Sequence, residues 1–229
     1  MGLVKNLPVF EPAGRGAAPL ARIVDHFFNE VTLRAVQDGR LGWPLSAPAV
    51  IHGPLLDSVD FVGVNYYTRM LVGPRRGERG LLHTKPGTEW SDSGRGGPYG
   101  EVYPAGMGRV LARVARLRKP IYITENGLPD ADDDQRPRFL LTHLVEVHRA
   151  IARGADVRGY YHWTLVDNFE WSEGWGLRFG LVALDPETQA RTPRRSAELF
   201  SRIVRRNAIT PEMVQQFAPE AAGQIWRQP

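Results

Sequence analysis

Four short apolar runs, separated by helical patterns, constrain this sequence more than any other feature. They are Gly2-Leu3-Val4-Lys5-Asn6-Leu7-Pro8-Val9-Phe10, Asp60-Phe61-Val62-Gly63-Val64-Asn65-Tyr66-Tyr67, Ile121-Tyr122-Ile123-Thr124-Glu125 and Gly159-Tyr160-Tyr161-His162-Trp163-Thr164-Leu165. Runs of this kind read as strands of a parallel sheet with both faces covered. Four βα units are half of the eight that close a (β/α)₈ barrel. At 229 residues the chain is near the roughly 250 of a whole barrel, so the strand count, not the length, decides.

The intervening helices show clear apolar stripes. Leu20, Ile23, Val24, Phe27, Phe28, Val31 and Ala35 share one face, and Gly39 is the expected stop. Met107, Val110, Leu111, Val114 and Leu117 mark a second helix. A third runs from about Asp134 to Ala152 with Leu140, Leu144, Val147 and Ile151 on its stripe. Its acidic approach, Asp132-Asp133-Asp134, suits the positive end of the helix dipole. Thr192-Pro193 reads as an N-cap followed by Pro at the first helical position, ahead of Leu199, Phe200, Ile203 and Val204. Residues 72–100 form a long segment rich in Gly, Arg and Ser, of the kind that serves as a lid or binding loop or is disordered. The expected division is a domain over 1–209 and a weakly anchored tail over 210–229.

Composition excludes several function classes. Cysteine is absent, so thiol nucleophiles, thiolate metal sites and disulfides are excluded. The net charge of +4 comes from scattered Arg rather than a basic stripe interleaved with aromatics, so no nucleic acid is expected as partner. No apolar run of about 18 residues is present, so no membrane span is expected. The first residues lack the long apolar stretch of a secretory signal, which makes cytoplasmic residence the expectation. His26, His143, His148 and His162 form no cluster with acids at ligand spacing, and no metal is expected.

The chemistry gathers at two places. Glu125 ends the third strand just before Asn126-Gly127, and strand tips are where α/β barrels place their reactive groups. A carboxylate there can attack an anomeric carbon and form a covalent glycosyl-enzyme. Asn65 and Tyr67 end the second strand and, by alternation, face the same way. Tyr67 could donate a hydrogen bond to a neighbouring carboxylate and keep it ionised. The second place is Trp163 through Phe179, with three Trp and three acids in one loop. Aromatic faces stack on sugar C–H surfaces, and carboxylates accept from paired hydroxyls. The alternative is a buried aromatic cluster, which suits Phe169 and Trp175 and fits Glu170 poorly, because a buried carboxylate needs partners.

Taken together, these motifs resemble glycoside hydrolase family 1, the β-glucosidase family. Ile123-Thr124-Glu125-Asn126-Gly127 is similar to its nucleophile motif, the run Asp60 to Tyr67 to its sixth strand, and Gly159 through Asp185 to its eighth strand and sugar-binding loop. Gly42-Trp43-Pro44 and Glu101-Val102-Tyr103-Pro104 resemble smaller landmarks. The resemblance runs through nearly all of residues 2–207. It implies the C-terminal half of a TIM (β/α)₈ barrel: four parallel strands, matching strands five to eight, with outer helices. It implies Glu125 as nucleophile and Tyr67 as the residue that orients and charge-tunes it. Asn65 would lie near the junction with the acid/base, and Trp163 would form the platform under the sugar. Glu170 and Trp171 would bind hydroxyls, and Phe179 would wall the pocket. The implied substrate is a β-D-glucoside or close relative, hydrolysed with retention and without a cofactor.

Family elements of the first half are missing, the sugar-binding Gln, His and Trp residues among them. The Thr-x-Asn-Glu-Pro acid/base motif occurs nowhere in the chain. A half-barrel leaves both sheet edges bare, and bare apolar edges invite another chain. Three readings follow. The chain works when completed by an N-terminal half; it is a noncatalytic sugar-binding or structural relic; or two copies close one barrel, bringing the partner's Glu170 towards Glu125.

Overall fold

The computed structural model describes residues 1–56, 58–77, 79–84 and 100–226. The four apolar runs form one parallel sheet in chain order: β1 (Gly2–Asn6), β2 (Phe61–Asn65), β3 (Ile121–Glu125) and β4 (Val157–Tyr160). Leu3 lies opposite Val62, Val62 opposite Ile121, and Ile121 opposite Val157. Two runs are shorter than the sequence suggested. The first breaks at Leu7-Pro8, because Pro8 has no N–H to give a ladder. Beyond it, Val9–Pro12 pairs instead with Arg69–Val72 in a separate small sheet that Leu82–His83 joins. The fourth run ends as regular strand at Tyr160 rather than Leu165, although Tyr161 and Trp163 still donate N–H bonds to the carbonyls of Ile123 and Asn126.

The two faces of the sheet differ. Val62, Val64, Ile121 and Ile123 are fully buried against Met107, Leu111 and Val114 of α3 (Pro104–Ala115). The opposite face carries Val4, exposed by 51%, and the edge-on pair Phe61 and Tyr122. Gly63 belongs there too, since a Cβ on it would collide with Val4 and Thr124. The expectation of cover on both faces therefore holds for one face only among the described residues. No helix among them is long and apolar enough to cross a membrane.

The first helical stripe needs correction. It divides into α1 (Ala18–Asp25), a π-turn over His26–Glu30 and α2 (Val31–Asp38), and it stops as expected at Gly39, which is left-handed at φ +69°. The wider π-turn rotates the helix face. Ala21, Asn29, Leu33 and Ala35 are buried, while Ile23, Phe27 and Phe28 are exposed. Buried Asn29 is held by the carbonyl of Pro8 and by Asp25, to both of which it donates.

The later helices are refined by long-range caps. α4 (Arg136–Ala152) opens on Asp130, which accepts N–H bonds from Gln135 and Arg136 at 3.0 and 2.8 Å. Asp133, from the acidic run, is buried against Arg136 and Ser196 rather than facing the dipole from solvent. Thr192-Pro193 does not cap a helix. Those residues pair antiparallel with Val182–Leu184, and α5 (Arg195–Arg206) begins beyond them, where Asp133 accepts the N–H of Ser196 at 2.7 Å.

The tail is also corrected. Residues 210–226 are not weakly anchored. They form α6 (Pro211–Phe217) and α7 (Ala222–Ile225), and Met213, Val214, Phe217 and Ile225 are buried with Leu141 and Leu199. Each large side chain buried this way contributes about 1.5–3 kcal/mol. Of the loop expected over 72–100, residues 78 and 85–99 lie outside the described residues, and the lid reading with them.

Candidate active site

The C-terminal ends of β2, β3 and β4 converge. Glu125 closes β3 opposite Asn65, where the ladder slips between Val64 and Asn65. The Tyr67 phenol donates to Glu125 Oε2 at 2.6 Å. Thr124 donates to Asn65 Oδ1 at 2.6 Å, which ties Asn65 to the strand that carries Glu125. Glu125, Tyr67 and Asn65 are all half-buried, so the tip is open on one side. The structure thus brings together three of the residues singled out from sequence.

The loop after β4 is attached at the same tip. Trp163 is half-buried, and its N–H donates to the Asn126 carbonyl at 3.0 Å. The approach is close enough that a Cβ on Gly127 would lie 1.8 Å from the Trp163 carbonyl oxygen, so only glycine fits there. Farther along, Glu170 accepts from Asn168 at 2.7 Å and Trp171 is 83% exposed. Phe169 is not buried as the aromatic-cluster alternative required: it is exposed and stands edge-on to Trp175 at 5.8 Å. Phe179, expected as a pocket wall, is fully buried, and its carbonyl accepts the N–H of Thr164. It supports the loop from beneath, because the chain doubles back under Thr164.

Sequence reasoning missed the residues that hold these groups. Asp167 is the buried acid of the loop: it accepts from Gly180 and Leu184 and receives both guanidinium arms of Arg194 at 3.0 Å. Asn126 is fully buried and joins Tyr66 to Tyr160. Buried Glu101 pairs with Arg69, whose guanidinium lies over the Tyr103 ring, and this anchors the approach to α3. The polar residue types were visible, but their partners lie 13 to 60 positions away.

The histidines take no part in this constellation. His143 is buried and stacked on Phe139, and burial lowers it to about 4. His162 is lowered to about 3, first by burial and then by the Arg136 charge. Both are neutral near pH 7. Asp130, Asp132 and Asp134 place carboxylate oxygens within 4.8 Å of one another, and no histidine is among them. Burial is the main cause that pushes Asp130 up to about 6. A groove of about 450 Å³ lies elsewhere, between Phe10 and α3, and its charges are already paired: Arg113 with Asp25 and Arg116 with Glu30.

A half-open tip of a parallel strand, with a phenol on a carboxylate and an aromatic loop beside it, agrees with the comparison to known families. The model of glycosyl hydrolase family 1 matches residues 26–209. The chain belongs to glycosyl hydrolase family 1. It is 40% identical over 178 residues to a β-galactosidase of Saccharolobus solfataricus, covering 72% of this chain and 35% of that protein. A β-glycosidase from Pyrococcus horikoshii superposes with a TM-score of 0.81 at 35% identity, over 94% of this chain and 50% of that one. A β-glucosidase from Thermotoga maritima in complex with glucoimidazole superposes with a TM-score of 0.74 at 28% identity, over 91% and 51%. The chain therefore spans about half or less of the length of these relatives. Its four parallel strands and their helices make a partial α/β barrel of this family.

Proposed function

We propose that this chain carries the nucleophile half of a retaining β-glycosidase site, matching strands five to eight of the barrel, with Glu125 bonding the anomeric carbon. The observation that carries this reading is the 2.6 Å hydrogen bond from Tyr67 to Glu125 Oε2 at a strand tip. It keeps one oxygen occupied and leaves the other to attack. A carboxylate hydrogen-bonded in this way is aimed.

In the first step an oxygen of Glu125 bonds C1 of the sugar. The C1–O bond to the aglycone breaks and the leaving oxygen takes the electron pair. In the second step water attacks C1, a base takes its proton, and the glycosyl ester breaks to return the electron pair to the Glu125 carboxylate. Trp163 supplies the platform under the ring, and Glu170 and Trp171 bind hydroxyls. Asn65 lies at the junction with the second carboxyl group. That group, about 5–5.5 Å from the nucleophile in retaining enzymes, comes from an N-terminal half. Its general acid catalysis is worth about 10²–10⁴-fold, so the chain alone is limited to activated glycosides. The names of the relatives support gluco- and galacto-configured β-glycosides as the substrate class.

The test is labelling by 2,4-dinitrophenyl 2-deoxy-2-fluoro-β-D-glucoside, whose leaving group needs no proton. The expected result is one sugar per chain on the peptide that contains Glu125, absent in Glu125→Gln. No label, or a label on another carboxylate, overturns the reading. Addition of an N-terminal half is expected to restore turnover of unactivated glucosides.

A further inference from the structure

At the end of β3 the ladder slips between Val64 and Asn65, one residue before the strand tips that carry the reactive groups. Regular backbone pairing therefore does not by itself set Tyr67 against Glu125. Side chains take over. Asn126 is fully buried, which is costly for an amide unless its hydrogen-bonding capacity is used. Its Nδ2 donates to the Tyr66 carbonyl at 2.7 Å, and its Oδ1 accepts from the Tyr160 phenol at 2.9 Å. The amide orientation follows from its neighbours. A carbonyl can only accept, so Nδ2 must face Tyr66 and Oδ1 must face Tyr160. Burial pushes the Tyr160 phenol well above the ordinary tyrosine range, so it remains a donor. The backbone agrees: Tyr66 N–H donates to the Glu125 carbonyl at 2.9 Å, and Trp163 N–H to the Asn126 carbonyl at 3.0 Å.

We infer that Asn126, oriented by Tyr160, is a positioning residue that sets the Tyr67 phenol against Glu125. Asn126 sits directly after the nucleophile, and its amide holds the peptide that leads into Tyr67. The Asn126 side chain thus joins the Tyr66–Glu125 backbone bond in fixing the distance between two strand tips, while Tyr160 on β4 fixes the amide. A misplacement of about 1 Å in such an arrangement can cost about 10²-fold. The inference rests on the proposed nucleophile role of Glu125, and its test separates the two.

The experiment uses the full chain and the fluorosugar described above. Asn126→Ala is expected to slow the first-order labelling rate by about 10–100-fold and Tyr160→Phe by about 5-fold, each with the inactivator's dissociation constant little changed. In the Tyr67→Phe background both effects should vanish, because both act through Tyr67. A purely structural role would persist there, so an equal loss in that background overturns the inference, as does a change confined to the dissociation constant. Where Asn126→Ala does not fold, Tyr160→Phe carries the test, since it removes one hydroxyl only. A second readout needs no reaction: the ¹³C resonance of the Glu125 side-chain carboxylate, assigned by its absence in Glu125→Gln. It should move in Tyr160→Phe in the same direction as in Tyr67→Phe, and an unmoved resonance overturns the inference. A wild-type chain that takes no label defeats the nucleophile reading, while this resonance still decides the positioning one.

Discussion

The tip of β3 and the loop from Trp163 to Phe179 both carry carboxylates, but they are held differently. Glu125 is fastened by contacts from the end of the neighbouring strand: Tyr67 on its oxygen and Tyr66 on its carbonyl. Glu170 is held within its own turn, by Asn168 and by a backbone bond to Gly174, and its neighbour Trp171 is almost fully exposed. The loop's firm anchor is Asp167, which is buried and paired with half-buried Arg194. A reacting atom must be placed by a rigid frame, since small displacements are costly. Groups that grip sugar hydroxyls tolerate a looser mounting, provided that their root is fixed.

This contrast can be broken experimentally, and the largest effect is expected at the tip. Glu125→Gln should reduce fluorosugar labelling by about 10⁴-fold or more, the scale seen on removing other covalent nucleophiles. Labelling within tenfold of wild type would place the chemistry elsewhere. Next comes the root of the loop. Asp167→Ala leaves the half-buried Arg194 charge without its carboxylate, and such a loss costs up to about 3–5 kcal/mol. Denaturant unfolding reads it, and a midpoint equal to wild type would deny that Asp167 anchors anything.

A pH effect of several kcal/mol follows from the buried histidines beneath the loop. Their native values, about 4 for His143 and about 3 for His162, lie below the ordinary 6.5. The unfolded chain therefore binds more protons below pH 6.5. Stability from these groups is full above that pH and is lost as pH falls towards 4 and 3. Asp130, raised to about 6, works with the opposite sign between pH 6 and 4 and offsets part of the loss. Unfolding midpoints at pH 7 and pH 5 measure the balance, and His143→Gln should flatten the slope. A slope unchanged in that variant would exclude His143 as a source.

The smallest effect belongs to the exposed end of the loop. Trp171→Ala should weaken fluorosugar binding by about 2–10-fold while leaving the labelling rate of the bound complex unchanged. A change in that rate instead would show that the loop takes part in placing the reacting atoms, and the distinction between the two regions would fall.

Much of this was legible before any coordinates. The four strands were readable because apolar runs of strand length between amphipathic helices have few other uses. Glu125 and Tyr67 were readable because strand tips and alternation place them by local rules. The misread elements share a cause. Ile23, Phe27 and Phe28 form a helical stripe in sequence, but the π-turn at His26–Glu30 turns them outward. Thr192-Pro193 has capping chemistry but is taken by a strand partner, Val182–Leu184. The apolar residues of 210–226 have no long periodic stripe to announce them, and their packing partners, Leu141 and Leu199 among them, lie on other helices.

The sequence by itself determined the parallel βα order, the carboxylate at the third strand tip and the aromatic loop after the fourth strand. These depend on residue type and local spacing, which the chain carries without folding. The tertiary structure decided the slip in the ladder, the Asp167–Arg194 anchor and the Tyr160–Asn126–Tyr66 bridge. Those bonds join residues tens of positions apart, and which donor meets which acceptor is settled only when strand register and burial bring them within reach.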